Sequence, residues 1–325
     1  MAAFDAPYKL GTFSAAGCAP FPGVILASGK VIALSAIGRI ARQPLVGTSD
    51  LLEFIQHWEW NNPILSAAVE GIEQAAGSPN FADVSSLQIH VPFVPGSLVC
   101  AVANYRKHVV DFYEDPAERA IWEERMDAKA RSNLSFVFSK PVSAVVGPQA
   151  DVAIPDDVKM LDWEVELVVV IGKEARRVNR ADALGYVAGY TVGNDLSARD
   201  FLARDDLQPG MLDFCGSKGN PGFNPIGPFI VPAQFVPDPQ KLSLRLRLNG
   251  EIMQDEGSEL MIDSVAKLIE YSSSRMVLRP GDMIMTGSPS GNAKSHDNRY
   301  LRVGDIVEAE VDGIGTQRIR FVAEK

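Results

Sequence analysis

Cysteine is scarce: Cys18, Cys100 and Cys215 are the only three in 325 residues, and none sits in a CxxC pair. An odd, scattered count argues against a disulfide framework and fits a reducing compartment. Basic residues are in deficit as well, 31 Lys and Arg against 41 Asp and Glu, for a net charge of −10. Binding a polyphosphate backbone or an anionic membrane needs clustered cations, so neither nucleic acid nor a membrane is expected as a partner. No stretch approaches the ~20 apolar residues that span a bilayer. The opening MAAFDAPYKLGTF lacks a basic region leading into an apolar one, so no secretion signal is read and the chain is expected to be cytoplasmic. Internal repeats and low-complexity segments are also missing.

What is present is an ordinary globular composition, 46% apolar and 22% charged, on a chain long enough for a large unit and a smaller one. An anionic substrate would need a local positive centre in so negative a protein, and a bound cation supplies one.

A small N-terminal α/β unit is read over residues 1–92. It has strand-like pieces at 23–26 and 31–34, a helix at 51–58 capped by Asp50, and a helix at 64–76 entered through Asn62-Pro63. The proline-bearing stretch at 90–96 leads into a second unit over 93–325. There Asp115-Pro116-Ala117-Glu118 opens a charged, exposed helix through about Arg131. A Val-rich strand is read at 163–171 and a helix at 181–187 behind Asn179. Leu242, Leu244, Leu246 and Leu248 alternate into an Asn249-Gly250 turn, and a second hairpin follows across 306–311, Asp312-Gly313 and 319–322. The large unit is therefore β-rich and the class α+β.

Residues two apart on a strand share a face, which sets Glu164 and Glu166 side by side, about 7 Å apart along the backbone. Asp195, where the strand-like stretch 187–192 ends, is a third oxygen donor. Such a pair is more often a solvated strand face, and Glu308-Ala309-Glu310 shows the same spacing without a partner. Context separates the two. Glu164 and Glu166 run into Leu167-Val168-Val169-Val170-Ile171, apolar on both faces, and carboxylates at the mouth of a buried strand need compensation. Carboxylates without a nearby His or Cys favour Mg²⁺, Mn²⁺ or Ca²⁺ over Zn²⁺ or copper.

Leu161-Asp162-Trp163-Glu164-Val165-Glu166-Leu167, Val170-Ile171-Gly172-Lys173 and the run from Gly189 through Asn194-Asp195-Leu196-Ser197-Ala198-Arg199-Asp200 closely resemble the fumarylacetoacetate hydrolase family. The resemblance extends to Asn104-Tyr105-Arg106-Lys107-His108, Lys218, Pro280-Gly281-Asp282 and Thr286-Gly287-Ser288-Pro289-Ser290-Gly291. It implies a mixed β-sandwich roll, a homodimer, and Mg²⁺, Mn²⁺ or Ca²⁺ on Glu164, Glu166 and Asp195. It also implies hydrolytic cleavage of a carbon–carbon bond in a small diketo acid, in the breakdown of aromatic or related compounds.

By the same resemblance His108 is the catalytic histidine and Lys218 contacts substrate oxygens. Asp111, three residues on, would share a helical face with His108 and hold its ring in one tautomer. Tyr105, Arg106, Lys140 and Thr286 are expected at the substrate, Arg106 as a bidentate carboxylate ligand. The exposed helix from Asp115 would close over the site as a lid. Two other outcomes stay open: a lyase of the same family, decarboxylating, dehydrating or isomerising an oxo-acid, and a non-catalytic metal protein that binds one. The segment 291–301 is longer than the family pattern and is expected to reshape the pocket.

Overall fold

The computed structural model describes residues 6–73, 81–204, 206, 208 and 210–325. The alternation read in the C-terminal third builds a five-stranded sheet in the order Glu251–Gly257, Ser243–Leu248, Ile306–Val311, Gly315–Ala323, Asp151–Ile154. Asn249 and Gly250 both take positive φ in the first hairpin turn, the conformation such tight turns demand. Glu308 and Glu310 lie beside arginines, Arg318 on one and Arg245 and Arg247 on the other, so this pair is the ordinary strand face its spacing implied.

A six-stranded mixed sheet runs Val231–Pro232, Val187–Asn194, Val165–Ile171, Met283–Met285, Leu98–Ala101, Val137–Ser139. The strand Val165–Ile171 is buried at every residue. Its Leu167, Val169 and Ile171 join a core with Leu244, Leu246, Val307 and Phe321 of the five-stranded sheet. Val168 and Val170, on the other face, join Leu10, Val24, Ile37, Phe54 and Leu65 from the N-terminal segment. That segment forms a third sheet, Ala82–Asp83, Lys30–Ala33, Phe21–Leu26, Tyr8–Ser14, Gln88–Ile89, with helices against it. The architecture is α+β and strand-rich, and no helix among the described residues is long and apolar enough to cross a membrane.

Local expectations fail where tertiary contacts outweigh local signals. The helix expected to open at Pro63 starts at Trp58, Trp58–Glu73, with Pro63 inside it. Pro63 is the sixth residue of this helix, and its missing N–H forfeits one ladder bond there. Asn61 rather than Asn62 makes the local ties, to Val46 and the Phe54 carbonyl. Residues 74–76 of the expected helix lie outside the described residues. Asp50 is the cap as read, through Glu53 N–H, but its helix, Leu51–Gln56, stops two residues short of the expected end. The helix expected at 181–187 is only a 3₁₀ turn, Ala183–Tyr186. Val187 is drawn instead into pairing with Ile171.

Candidate metal and substrate site

The acidic cluster is a product of strand register. Val165 pairs with Asn194 and Glu166 with Gly193; beyond a gap, Asp162 pairs with Ser197 and Leu161 with Ala198. The register is the same on both sides, and it sets Glu164 opposite Asp195, whose N–H donates to the Glu164 carbonyl at 2.9 Å. Backbone groups that leave the ladder at the gap are caught by side chains. Asn194 Oδ1 accepts from Glu164 N–H, Gln254 Oε1 from Val165 N–H and Asp162 Oδ1 from Trp163 N–H. Glu164 thus stands just before the strand and Glu166 within it, both buried, as is Asp195.

Each of these three carboxylates offers an oxygen within 4.8 Å of the others. Lys218 Nζ donates to Glu164 Oε2, Asp195 Oδ2 and Ser197 Oγ. Arg199 bridges Asp162 and Glu164, and Lys140 Nζ donates to Asp195 Oδ1 at 2.6 Å and to the Phe223 carbonyl. Among the described residues the fixed cations against Asp162, Glu164, Glu166 and Asp195 are Lys140, Lys218 and Arg199, so four carboxylates meet three fixed positive charges. The shortfall falls on Glu166, whose carboxylate accepts from Gly287 N–H at 2.8 Å and, among the described residues, has no ion-pair partner. Burial, reinforced by Asp195 and Glu164, pushes its pKa well above the usual carboxylate range. Burial acts the same way on Glu164, but Lys218 and Arg199 outweigh it and hold that pKa well below the usual range.

Three buried hard donors and one uncompensated carboxylate fit a divalent cation with oxygen ligands. Such an ion would turn the local charge positive, as an anionic substrate requires. Gly287 completes the fit. Its φ is +89° and a Cβ there would meet Asn104 Cβ at 2.7 Å, so only glycine presents this N–H to Glu166.

His108 stands on the short helix Arg106–Val110. Nδ1 lies 3.0 Å from the Pro289 carbonyl and Nε2 lies 3.4 Å from Glu164 Oε1. A carbonyl only accepts, so in the neutral ring Nδ1 carries the proton and Nε2 the lone pair. Asp111 does not hold this ring. The helix ends at Val110, and Asp111 instead accepts from Ser290 Oγ at 2.6 Å and pairs with Arg119. Arg106 is turned outward onto Asp127 and Glu123. Tyr105 is buried in the core, and Thr286 Oγ1 donates to the Leu167 carbonyl. Lys140 holds Asp195 from behind. Of the expected residues, then, the structure gathers Glu164, Glu166, Asp195, Lys218 and His108 around one space, with Lys140 supporting them. Arg199 and Asp162 also belong to the cluster, and both lie within the family-like stretches 161–167 and 189–200, where no local pattern marks them.

The space is a cavity of about 900 Å³ lined by all five of these groups. Trp122, Met126 and Lys129 of the helix Pro116–Arg131 line it, and Lys294, Asn298 and Tyr300 of the long 291–301 segment line it as well. The helix is capped by Asp115 and tethered at its far end by Lys129, which meets Asp263 at 3.0 Å. Burial pushes Asp263 up, but Lys267 and Lys129 outweigh it and leave its pKa below the ordinary value. A depressed folded-state pKa contributes stability above the unfolded value, ~3.9, that is lost as pH falls through the folded one. Asp263→Asn is therefore expected to flatten the acid limb of the unfolding curve and to speed amide exchange in Pro116–Arg131. Acid limbs of equal slope would contradict this tether.

Residues 97–322 match the family described as "Fumarylacetoacetate (FAA) hydrolase C-terminal". The chain is 37% identical over 235 residues to the homoprotocatechuate catabolism bifunctional isomerase/decarboxylase of Escherichia coli, covering 72% of this chain and 48% of that one. It is 32% identical over 222 residues to the mitochondrial oxaloacetate tautomerase Fahd2a of Rattus norvegicus, covering 68% and 64%. Among solved structures, a fumarylacetoacetate hydrolase from psychrophilic Exiguobacterium antarcticum superposes with a TM-score of 0.73 at 26% identity, covering 98% of this chain and all of that one.

Proposed function

The chain belongs to the fumarylacetoacetate hydrolase family, and from that premise we propose that it is a divalent-cation-dependent enzyme that moves a proton beside the ketone of a small 2-oxo acid. The reaction class is isomerisation or tautomerisation through an enolate. One observation carries this reading: His108 Nε2 lies 3.4 Å from Glu164 Oε1 at the edge of the carboxylate cluster, while Nδ1 is held by the neutral Pro289 carbonyl and, among the described residues, by no acid.

Enolisation needs a single positioned base, and His108 Nε2 is placed to take the proton from carbon and return it. Hydrolysis asks more, because the base must activate a water and is ordinarily strengthened by a carboxylate on its far nitrogen. Asp111, the group expected there, is engaged by Ser290 and Arg119. Glu164, Glu166 and Asp195 would hold Mg²⁺ or Mn²⁺, which when bound supplies the charge that favours an enolate over its ketone. Lys218 and Arg199 keep Glu164 ionised, and Lys140 and Lys218 hold Asp195 in place. The names of the Escherichia coli and Rattus norvegicus relatives, an isomerase/decarboxylase and a tautomerase, support the same class. Hydrolytic carbon–carbon cleavage is the second reading, supported by the likeness to a fumarylacetoacetate hydrolase over nearly the whole chain.

The two separate in one assay. With Mg²⁺ or Mn²⁺ added, the enol absorbance of a 2,4-dioxo acid is followed beside the amount of intact acid. Metal-dependent keto–enol equilibration with the carbon skeleton retained is the expected result. Two cleaved acids formed in step with enol loss would establish hydrolysis instead.

A further inference from the structure

Much of the wall of this cavity is apolar. Phe112, Trp122, Met126, Phe136, Phe138 and Phe214 all line it. The wall is built before any ligand arrives: Phe138 stacks on Phe214 at 4.5 Å between centroids, Phe136 meets Phe214 edge-on, and Trp122 stacks on Tyr113. It begins at the metal end, because Lys218 Nζ lies 5.9 Å above the Phe138 ring. Phe136 is 50% exposed although it is flanked by this aromatic stack, so the apolar surface is left for something to cover. At about 900 Å³ the cavity lies near the upper end of the roughly 300–1,000 Å³ that enclose drug-sized ligands.

The charges that line the cavity are as informative. A substrate with two carboxylates needs a second cation beyond the metal. Arg199 is taken by Asp162 and Glu164, Lys218 by Glu164 and Asp195, and Lys129 by Asp263. Arg106 points away from the site. Among the described lining residues Lys294 alone is loosely held, 3.7 Å from Glu114, and it stands on the 291–301 segment rather than in the aromatic wall.

We propose that the substrate of this enzyme is a 2-oxo acid with one carboxylate and a bulky apolar far end, aryl or branched alkyl, seated on the wall formed by Phe112, Trp122, Met126, Phe136, Phe138 and Phe214. The inference rests on the 2-oxo-acid reading above. It makes Phe136 and Trp122 specificity-determining residues, and it assigns small diacids such as oxaloacetate to the poor substrates.

The test compares 2,4-dioxopentanoate, 4-phenyl-2,4-dioxobutanoate and oxaloacetate on the metal-loaded enzyme. The phenyl acid is expected to exceed both others in kcat/KM by at least about tenfold. In Phe136→Ala the phenyl-to-methyl ratio of kcat/KM should fall toward unity, mainly through KM for the phenyl acid. A preference for oxaloacetate or the methyl compound, or an equal loss on all three in Phe136→Ala, would overturn the inference while leaving the oxo-acid reading in place.

Turnover of none of the three would sink the oxo-acid reading instead, and binding then decides the wall. Saturable quenching of tryptophan fluorescence by the phenyl acid, absent with the methyl acid and absent in Trp122→Phe, would uphold the apolar subsite. Quenching by neither acid would overturn it as well.

Discussion

His108→Asn should lower kcat by about 10²–10⁴ and leave the fold and cation binding unchanged, the loss typical of removing a positioned acid–base group. Asparagine can still donate an amide N–H toward the Pro289 carbonyl, the contact that now orients the imidazole at 3.0 Å. It has no lone pair at the Nε2 position facing Glu164. Lys218, Arg199 and Lys140, the fixed cations against the cluster, all stay in place in this variant. The check pairs steady-state rates with a Mn²⁺-dependent thermal shift. A variant with full activity would remove His108 from the chemistry. One that no longer binds Mn²⁺ would make it part of the cation site instead.

Lys218→Met should cost about 3–5 kcal/mol of stability in the absence of divalent ions, because breaking a buried ion pair leaves uncompensated charge behind. Methionine keeps the length and the packing over Phe138 but removes the ammonium between Glu164 and Asp195. Although burial works to lower the Lys218 pKa, Asp195 and Glu164 raise it above its ordinary value. A raised folded-state pKa gives stability that is complete below the unfolded value, ~10.4, and is lost as pH climbs through the folded one. At pH 7 the whole contribution is therefore present, and the variant forfeits all of it. Saturating Mn²⁺ should restore part of the loss, since an ion on the same carboxylates supplies the missing charge. Urea unfolding with and without Mn²⁺ measures both effects, and a variant as stable as the parent without ion would contradict the charge arrangement.

The parts of this arrangement legible in the sequence are those that depend on short-range periodicity. The alternation of Leu242 to Leu248 and the run Leu167 to Ile171 announced strands, and the latter's two apolar faces announced burial on both sides. That burial separated Glu164 and Glu166 from the pair Glu308 and Glu310. Their third partner was harder, because Asp195 reaches Glu164 only through a ladder register that no local pattern encodes. Arg199 and Asp162 were missed for the same reason: each looks like an ordinary charge until the strands pair.

Orientation at element ends was misread. A three-residue spacing suggested that Asp111 would back His108, but the helix stops at Val110 and contacts from Ser290 and Arg119, far along the chain or on the next helix, claim the carboxylate. Arg106 was expected at the substrate carboxylate, yet it sits opposite Glu123 and Asp127 of the helix Pro116–Arg131 and pairs with them. Pro63 signalled a helix start, and a preceding turn anchored by Asn61 overrode it.

The central claim is that Glu164, Glu166 and Asp195 hold a divalent cation, and Glu166→Gln tests it most directly. Glutamine keeps the shape and an acceptor for Gly287 N–H, while relieving a buried charge that no cation offsets. The variant should therefore be at least as stable as the parent without ions. Titration of Mn²⁺ followed by calorimetry is the measurement. The account predicts one saturable site per chain in the parent and none, over the same concentration range, in the folded Glu166→Gln protein. Equal binding by both proteins, or none by the parent, would contradict it.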